Sequence, residues 1–385
     1  MKDSIKHILP WDVLQKLFFA LSTEGESRLV GGCVREMLSG NTPKDIDVAS
    51  QVKPDRMIVL LENAGFRCIP TGITHGTITA LFDGYHIEVT TLRSDVKTDG
   101  RHAEIEFTDD WAEDAKRRDF TINAMYMDLD GNIYDYFNGQ HDLRNKIVRF
   151  VGDPAKRIQE DYLRILRYFR FCGYLHGVTI DKPSLDACAA YRDKIDCLSG
   201  ERIREEFFKI LTLQHVRQSL EMMQEASILN VILNHDIAGD ILRLNFRHNA
   251  LANLIAILID VQYPKQSLED LAKKLKLSNL QKRVLKESVL NIEFYRLDSM
   301  HDHKKLLYLY GFDVYTTCLE SSKILGFDVI DGLDQLSTPV LPVKGGDLQK
   351  MYFEGKEIGD RIRHLESIWM ESDFTLNKEE LLKLL

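Results

Sequence analysis

Asp45 and Asp47 are the residues whose types and spacing most directly suggest chemistry. The run Asp45-Ile46-Asp47 predicts a strand with both carboxylates on one side, because side chains alternate between the two faces of a strand. Two carboxylates this close repel each other, so such a pair normally holds a divalent cation. Taken alone, the pair is more often two surface aspartates on an ordinary strand.

A glycine pair precedes the aspartates in the stretch Arg28–Ser50, which reads RLVGGCVREMLSGNTPKDIDVAS. The apolar residues before Gly31 predict a strand, and Gly31 and Gly32 predict a turn. Residues 33–39 predict a short helix that ends near Gly40. Backbone amides in a glycine turn before a helix can bind phosphate. A phosphate-binding turn beside metal-binding carboxylates predicts phosphoryl or nucleotidyl transfer.

The whole stretch resembles the signature LVGGxVRDxLLGxxxxDxD of the polymerase-beta-like nucleotidyltransferase superfamily, in its branch of tRNA nucleotidyltransferases and poly(A) polymerases. Glu36 replaces the Asp of the signature, and Ser39 replaces its second Leu. The resemblance implies that Asp45 and Asp47 hold two Mg²⁺ ions. It also implies that Glu88, on a later strand with the sequence EVTT, is a third catalytic carboxylate.

A second motif, RRDFTINAM at residues 117–125, matches the same family without a change. It places two guanidinium groups beside a carboxylate, and guanidinium groups bind phosphate and ribose oxygens well. Read alone, an Arg-Arg-Asp turn is a common exposed feature, and which arginine lies closer to the phosphates stays open. The resemblance implies a set of nucleotide-binding residues in this part of the chain: Gly31, Gly32, Arg35, Arg117 and Arg118.

A third motif, EDYLR, begins at Glu160 within a single helix predicted over residues 154–175. Spacings of three put four charged residues along one stripe of that helix: Asp161, Arg164, Arg167 and Arg170. Cytosine and adenine present an amino donor and a ring-nitrogen acceptor, whereas uracil and guanine present the reverse. A carboxylate with a guanidinium therefore selects C and A, although Asp161 and Arg164 could also be a surface ion pair. The family's EDxxR motif implies base selection by these two residues, with Arg167 and Arg170 lining the same pocket.

The composition is that of an ordinary soluble globular protein, with 44% hydrophobic and 28% charged residues in a chain of 385. The net charge of −9 disfavours a non-specific polyanion binder but allows a local basic face. Six scattered cysteines without a CxxC pair predict reduced thiols and a cytoplasmic location. No apolar run reaches the ~20 residues of a membrane helix, so no membrane partner is predicted.

Turn residues and apolar periodicity predict strands only in the first part of the chain. Asp-Gly pairs at 83–84 and 130–131 predict two hairpins, the first of which carries Glu88. The polar, aperiodic segment 94–104 is predicted to be a mobile loop. Beyond about residue 150 the periodic segments are helical, and the run ERIREE at 201–206 is predicted to brace the helices through salt bridges.

The predicted fold class is α+β: a polymerase-beta-like nucleotidyltransferase head with a small mixed sheet, followed by an all-helical neck, body and tail. The predicted boundaries are 1–150 for the catalytic head, 151–215 for a base-selecting neck, 216–330 for the body and 331–385 for the tail. The tail resembles, weakly, the tRNA-contacting tail of the family.

The resemblance implies a template-independent enzyme of class II that adds C, C and A to the acceptor arm of tRNA, with CTP and ATP as substrates. The alternatives are a poly(A) polymerase, a split enzyme that adds only CC or only A, and a non-catalytic RNA-binding module. Two His-Asp runs, His235-Asp236 and His301-Asp302-His303, suggest an HD phosphohydrolase only weakly, because no convincing set of its further ligands is found in the sequence. DNA is not an expected partner, and the oligomeric state stays open.

Overall fold

The strand–turn–helix–strand order predicted for residues 28–50 is present in the structure. The computed structural model describes residues 6, 8–99, 102–237, 241–291 and 299–385. The chain divides into two units, residues 1–233 and 234–385. The finer boundaries at 150, 215 and 330 stay a prediction.

The first unit begins with a mixed sheet and its helices. In chain order the elements are α1 Trp11–Leu21, β1 Ser27–Val30, α2 Gly32–Leu38, β2 Ile46–Ser50, α3 Pro54–Asn63, β3 Arg67–Gly72, β4 Thr77–Phe82, β5 Tyr85–Thr91, β6 Arg93–Asp99, β7 His102–Phe107, α4 Trp111–Lys116, β8 Met125–Met127, β9 Ile133–Asp135 and α5 Gly139–Arg144. Seven strands form one sheet in the order β3-β4-β5-β2-β1-β8-β9. Only the β2–β5 pair is parallel, which confirms the predicted mixed sheet.

The register of β2 and β5 positions two of the predicted catalytic residues. Asp47 on β2 is paired with Glu88 on β5, and paired residues on neighbouring strands point to the same face. The predicted hairpin before Glu88 is confirmed, because β4 and β5 are joined by Asp83 and Gly84 at φ angles of 49° and 78°. Positive φ at both positions is what a two-residue type I′ turn requires.

The prediction that residues 94–104 form a mobile loop is wrong. β6 and β7 pair as an antiparallel two-stranded ribbon that includes Arg93↔Phe107 and Asp99↔His102, with residues 100 and 101 outside the described part of the chain. The backbone hydrogen bonds of such a ribbon need no apolar alternation, so a polar and aperiodic sequence can form it.

The rest of the first unit is helical, as predicted: α6 Pro154–Glu160, α7 Leu163–Tyr174, α8 Lys182–Ala190, α9 Gly200–Leu211, α10 Val216–Glu225 and α11 Ile228–Leu233. The single helix predicted over residues 154–175 is wrong, because the chain is extended at Asp161, with φ −157° and ψ 108°. The Asp161 carboxylate accepts from the amide of Leu163 at 3.1 Å. An aspartate that bonds a nearby backbone amide competes with the helix in this way.

Aromatic packing fixes α7 against the part of the first unit that precedes it in the chain. Phe120 packs on Phe150 with ring centroids 4.8 Å apart and on Phe171 of α7 at 5.3 Å. Tyr168 of α7 stacks on Phe150 at 5.9 Å. These side chains are at most 3% exposed, so buried packing holds α7 and its arginines rigidly in place.

The second unit is helical in the part that the structure describes. Its helices are α12 Ala250–Asp260, α13 Leu268–Lys274, α14 Asn279–Leu290, α15 Met300–Tyr310, α16 Phe312–Ile324, α17 Gly345–Gln349, α18 Lys356–Glu371 and α19 Lys378–Leu382. His301 bonds the Asp373 carboxylate at 2.9 Å, and His303 is buried against Tyr315. Within the described ranges no helix is long and apolar enough to cross a bilayer.

Candidate active site

A cavity of about 360 Å³ lies beside α2, the beginning of β2 and α7. Its walls include five of the predicted site residues: Gly32, Arg35, Asp45, Asp47 and Arg170. The remaining lining residues are Cys33, Glu36, Thr42, Pro43, Lys44 and Tyr174. The cavity therefore combines three carboxylates, those of Glu36, Asp45 and Asp47, with two guanidinium groups and the Lys44 ammonium group.

Two carboxylates at this cavity, those of Asp45 and Asp47, form no ion pair within the described part of the chain, whereas Glu36 pairs with Arg35. Asp45 is exposed and Asp47 is partly buried, and within the described residues neither side chain, nor that of the adjacent Glu88, makes a hydrogen bond or ion pair. Burial, together with the charges of Glu88 and Asp45, raises the pKa of Asp47 to about 6 against the opposing effect of Arg118 and Arg35. Unpartnered oxygen ligands of like charge fit a hard divalent cation such as Mg²⁺. The described residues contain no preassembled group of three or more metal-binding side chains.

Replacing Asp47 by Asn is expected to stabilise the metal-free protein at high pH. The Asp47 pKa rises from 3.8 to about 6 on folding, so the stabilisation by its bound proton is complete below pH 3.8 and lost as the pH passes 6. We expect Asp47→Asn to increase the free energy of unfolding by about 2 kcal/mol at pH 8 and by much less near pH 4. Urea denaturation in EDTA measures both, with the exposed Asp109→Asn as control. Equal effects at the two pH values would contradict the assignment.

Arg118 lies against the glycine turn and is held by a buried carboxylate. A Cβ atom at Gly31, which has φ +69°, would lie 3.4 Å from Arg118 Nη1. Arg118 Nη2 donates to Asp114 Oδ2 at 3.2 Å, while Arg117 Nε donates to Asp114 Oδ1 at 2.9 Å. Tyr126 donates its hydroxyl to Asp114 Oδ2 at 2.6 Å. Of the two arginines, Arg118 is the one beside the turn that the sequence predicts to bind phosphate.

Electrostatics explains why Asp114 is ionised although it is buried. Burial raises its pKa, but the charges of Arg118 and Arg117 and the hydrogen bond from Tyr126 outweigh burial and hold the pKa well below its usual range. Asp114 is 1% exposed, so the two guanidinium groups are fixed by a charge inside the domain.

Arg35 projects from α2 into the same cavity and is 8% exposed. Its Nη1 donates to Asn123 Oδ1, and its Nη2 donates to Glu36 at 3.0 Å. Among the described residues its buried Nε has no hydrogen-bond partner. A guanidinium at the wall of a cavity that also contains Asp45 and Asp47 is suited to hold a phosphate oxygen.

Asp161 and Arg164 have separate partners in this structure, so the surface ion pair considered above is wrong. Asp161 accepts from Arg202 Nη2 at 2.8 Å, and Arg164 Nη1 donates to Glu160 at 2.5 Å. Arg164 also donates to the carbonyl oxygen of Arg117 at 3.3 Å. The two side chains therefore lie at the junction between α7 and the arginine motif, without being joined to each other.

The remaining arginines of α7 are also paired. Arg167 Nε donates to Asp119 at 2.8 Å, and Arg170 Nε donates to Glu206 of α9 at 2.6 Å. Burial opposes ionisation of Asp119, but Arg167 and Asn123 lower its pKa to about 2. Glu206 belongs to the run at 201–206, and its ion pair gives that run the bracing contact that the sequence predicts.

Sequence reasoning missed Asp114, Asn123 and Tyr174. Asp114 precedes Arg117 and Arg118 by three and four residues, a helical spacing that could have identified it. Tyr174 donates to Glu36 at 2.5 Å, a contact between α7 and α2 that no local spacing indicates.

Comparison with known proteins agrees with this geometry. Residues 27–149 match the family model described as the poly A polymerase head domain, and residues 177–236 match the probable RNA and SrmB-binding site of polymerase A. The mitochondrial CCA tRNA nucleotidyltransferase 1 of Danio rerio is 38% identical over 415 residues, which cover 99% of this chain and 95% of the relative. The chain belongs to the CCA tRNA nucleotidyltransferase family.

Bacterial members of the family are similar over nearly the same length. The CCA-adding enzyme of Staphylococcus haemolyticus is 32% identical, with 93% of each chain covered. The crystal structure of the Bacillus stearothermophilus CCA-adding enzyme in complex with CTP superposes with a TM-score of 0.78 at 22% identity, covering 95% of this chain and 94% of that one. That structural likeness confirms the predicted family fold.

Proposed function

We propose that the protein adds C, C and A to the 3′ end of tRNA, using CTP and ATP and no nucleic-acid template. The observation that carries this proposal is the single cavity lined by Asp45, Asp47, Arg35 and Arg170. It offers unpartnered carboxylates for a metal and guanidinium groups for a triphosphate, in a chain of the CCA tRNA nucleotidyltransferase family.

Asp45 and Asp47, with Glu88 beside them, are the residues that would hold Mg²⁺. Bound there, two Mg²⁺ ions would lower the pKa of the tRNA 3′-hydroxyl and stabilise the leaving pyrophosphate. Arg35 and Arg118 would bind triphosphate oxygens, and the Arg118 guanidinium lies against Gly31, whose φ of +69° favours glycine. Arg117 would act together with Arg118, because both arginines pair with Asp114 of α4.

Asp161 and Arg164 would select the base by accepting from its amino group and donating to its ring nitrogen. Their side chains are 23% and 12% exposed, and each would exchange its present partner, Arg202 or Glu160, for the base. Arg167 would complete that pocket. A wrong base would leave charged groups without partners, at roughly 1–3 kcal/mol for each.

The tRNA acceptor arm is the proposed polymer substrate. The neck, body and tail would bind it by recognising the shape of the RNA backbone. The relatives named above include a mitochondrial enzyme. None of the six cysteines forms a disulfide in the described part of the chain, which fits any reducing compartment, and the cytoplasmic location stays a prediction.

The deciding experiment uses a tRNA transcript that lacks CCA, with Mg²⁺ and each nucleoside triphosphate singly and together, resolved on a sequencing gel. We expect three additions that then stop, that require CTP and ATP, and that do not occur with UTP or GTP. A long ladder with ATP alone would identify a poly(A) polymerase. Addition that halts at CC, or that begins only from CC, would identify a split enzyme. No incorporation would contradict the enzymatic function and leave an RNA-binding module.

A further inference from the structure

Asn123 occupies a buried position between the two halves of the proposed nucleotide site. It ends a single 3₁₀ turn, Thr121–Asn123, and is 7% exposed. Its Oδ1 accepts from Arg35 Nη1, and its Nδ2 donates to Asp119 Oδ1 at 3.0 Å. One side chain thus contacts both a guanidinium and a carboxylate.

An amide is the side chain that suits these two neighbours. It accepts through oxygen and donates through nitrogen, whereas an ionised carboxylate only accepts and a lysine only donates. Because the partners are a donor and an ionised acceptor, they also fix which way the amide of Asn123 is turned. A carboxylate at this position would neutralise Arg35 and face Asp119 with a second negative charge.

The two contacts lead to different parts of the site. Arg35 lines the cavity that contains Asp45 and Asp47. The second carboxylate oxygen of Asp119 accepts from Arg167 Nε at 2.8 Å, and Arg167 stands on α7 one turn after Arg164. A continuous series of hydrogen-bonded side chains therefore runs from Arg35, on the proposed triphosphate side, to Arg167 on α7, the helix proposed to select the base.

The backbone that carries Asn123 is held firmly, so its side chain is placed with precision. Thr121 Oγ1 donates to the buried Asp142 at 2.7 Å. A Cβ atom at Gly139 of α5 would lie 2.2 Å from the carbonyl oxygen of Thr121, which means that α5 packs directly on the turn. Because packing fixes the turn, a change in the Asn123 side chain would shift its partners Arg35 and Asp119 rather than the turn.

We propose that Asn123 is a positioning residue that couples base selection to triphosphate binding, by holding Arg35 at the cavity and, through Asp119, Arg167 on α7. The inference rests on the proposed function, which supplies the nucleotide. Asn123 itself contacts no reacting atom in this scheme. Its effect is on the relative placement of the two arginines that touch the nucleotide.

The test compares the wild-type protein with Asn123→Asp and Asn123→Ser in single additions of CTP and UTP to a tRNA that lacks CCA. Asn123→Asp keeps the volume but replaces the hydrogen bond to Asp119 with repulsion between two carboxylates, and Asn123→Ser removes both contacts without adding charge. Asn145→Asp, an exposed asparagine at the end of α5, is the matched control. We expect kcat/KM for CTP to fall about 100-fold in Asn123→Asp, because a misplaced positioning group has effects of that size.

The decisive quantity is the ratio of kcat/KM for CTP to that for UTP. A residue that merely stabilises the fold would lower both values equally, whereas a coupling residue lowers the ratio, by about tenfold here. Both variants are expected to melt below the wild type, because the buried Asn123 loses hydrogen-bonded contacts, so the assays are run well below the melting temperature of each variant. An unchanged ratio, with normal addition by the wild-type protein, overturns this inference alone. Absence of addition by the wild-type protein overturns the proposed function.

Discussion

Asp45→Asn is expected to abolish nucleotide addition while leaving the fold and tRNA binding intact. Asp45 is exposed and has no hydrogen-bond partner among the described residues, so its loss costs the folded state little. The same carboxylate is one of two at the cavity proposed to bind Mg²⁺. Loss of a metal ligand removes several kcal/mol of transition-state stabilisation, which corresponds to about a thousandfold or more in kcat.

The measurement is single-turnover addition of CTP to a tRNA that lacks CCA, together with a filter-binding assay for the tRNA. Asp109→Asn, another exposed aspartate in the same unit, serves as the matched control and is expected to retain full activity. If Asp45→Asn kept activity within tenfold of wild type, the proposed metal site would be wrong. If tRNA binding were lost as well, the effect would lie in RNA recognition.

Asp114→Ala is expected to destabilise the first unit strongly. Asp114 is 1% exposed and pairs with Arg117 and Arg118 while accepting from Tyr126. Removing one partner of a buried ion pair leaves uncompensated charge, which costs about 3–5 kcal/mol. The neighbouring Glu113→Ala removes only an exposed pair with Lys116 and is expected to cost less than about 1 kcal/mol.

The pH dependence of this effect has a definite sign. Folding lowers the pKa of Asp114 from its unfolded-state value of 3.8. The ionised carboxylate therefore contributes its full stabilisation above pH 3.8, and this stabilisation is lost as the pH falls from there through the lower folded-state pKa. Urea denaturation at pH 7 and pH 3 compares the wild type with Asp114→Ala, and the difference is expected to be smaller at pH 3, below the unfolded-state pKa. An unchanged urea midpoint at pH 7 would show that the two arginines do not depend on Asp114.

The carboxylate pair and the turns around it could be predicted from the sequence because local spacing determines them. β2 begins at Ile46, so Asp47 lies in the strand and Asp45 directly before it, and both line the cavity; Asp83 with Gly84 specifies a two-residue hairpin. Helical periodicity after residue 150 likewise predicted the helices. Such features depend on residues a few positions apart, and the family resemblance assigned them a chemistry.

Only the tertiary structure decided which charges meet. Arg167 pairs with Asp119 across 48 positions, and Asp161 pairs with Arg202 across 41, so neither contact follows from local spacing. The break at Asp161 was hidden because its neighbours favour helix, and its capping bond to Leu163 competes with the helical ladder. The position of Asn123 between Arg35 and Asp119 likewise depends on how α2 and α7 pack on the same turn. Long-range ion pairs form where packed elements bring side chains together, and that packing is a property of the whole domain.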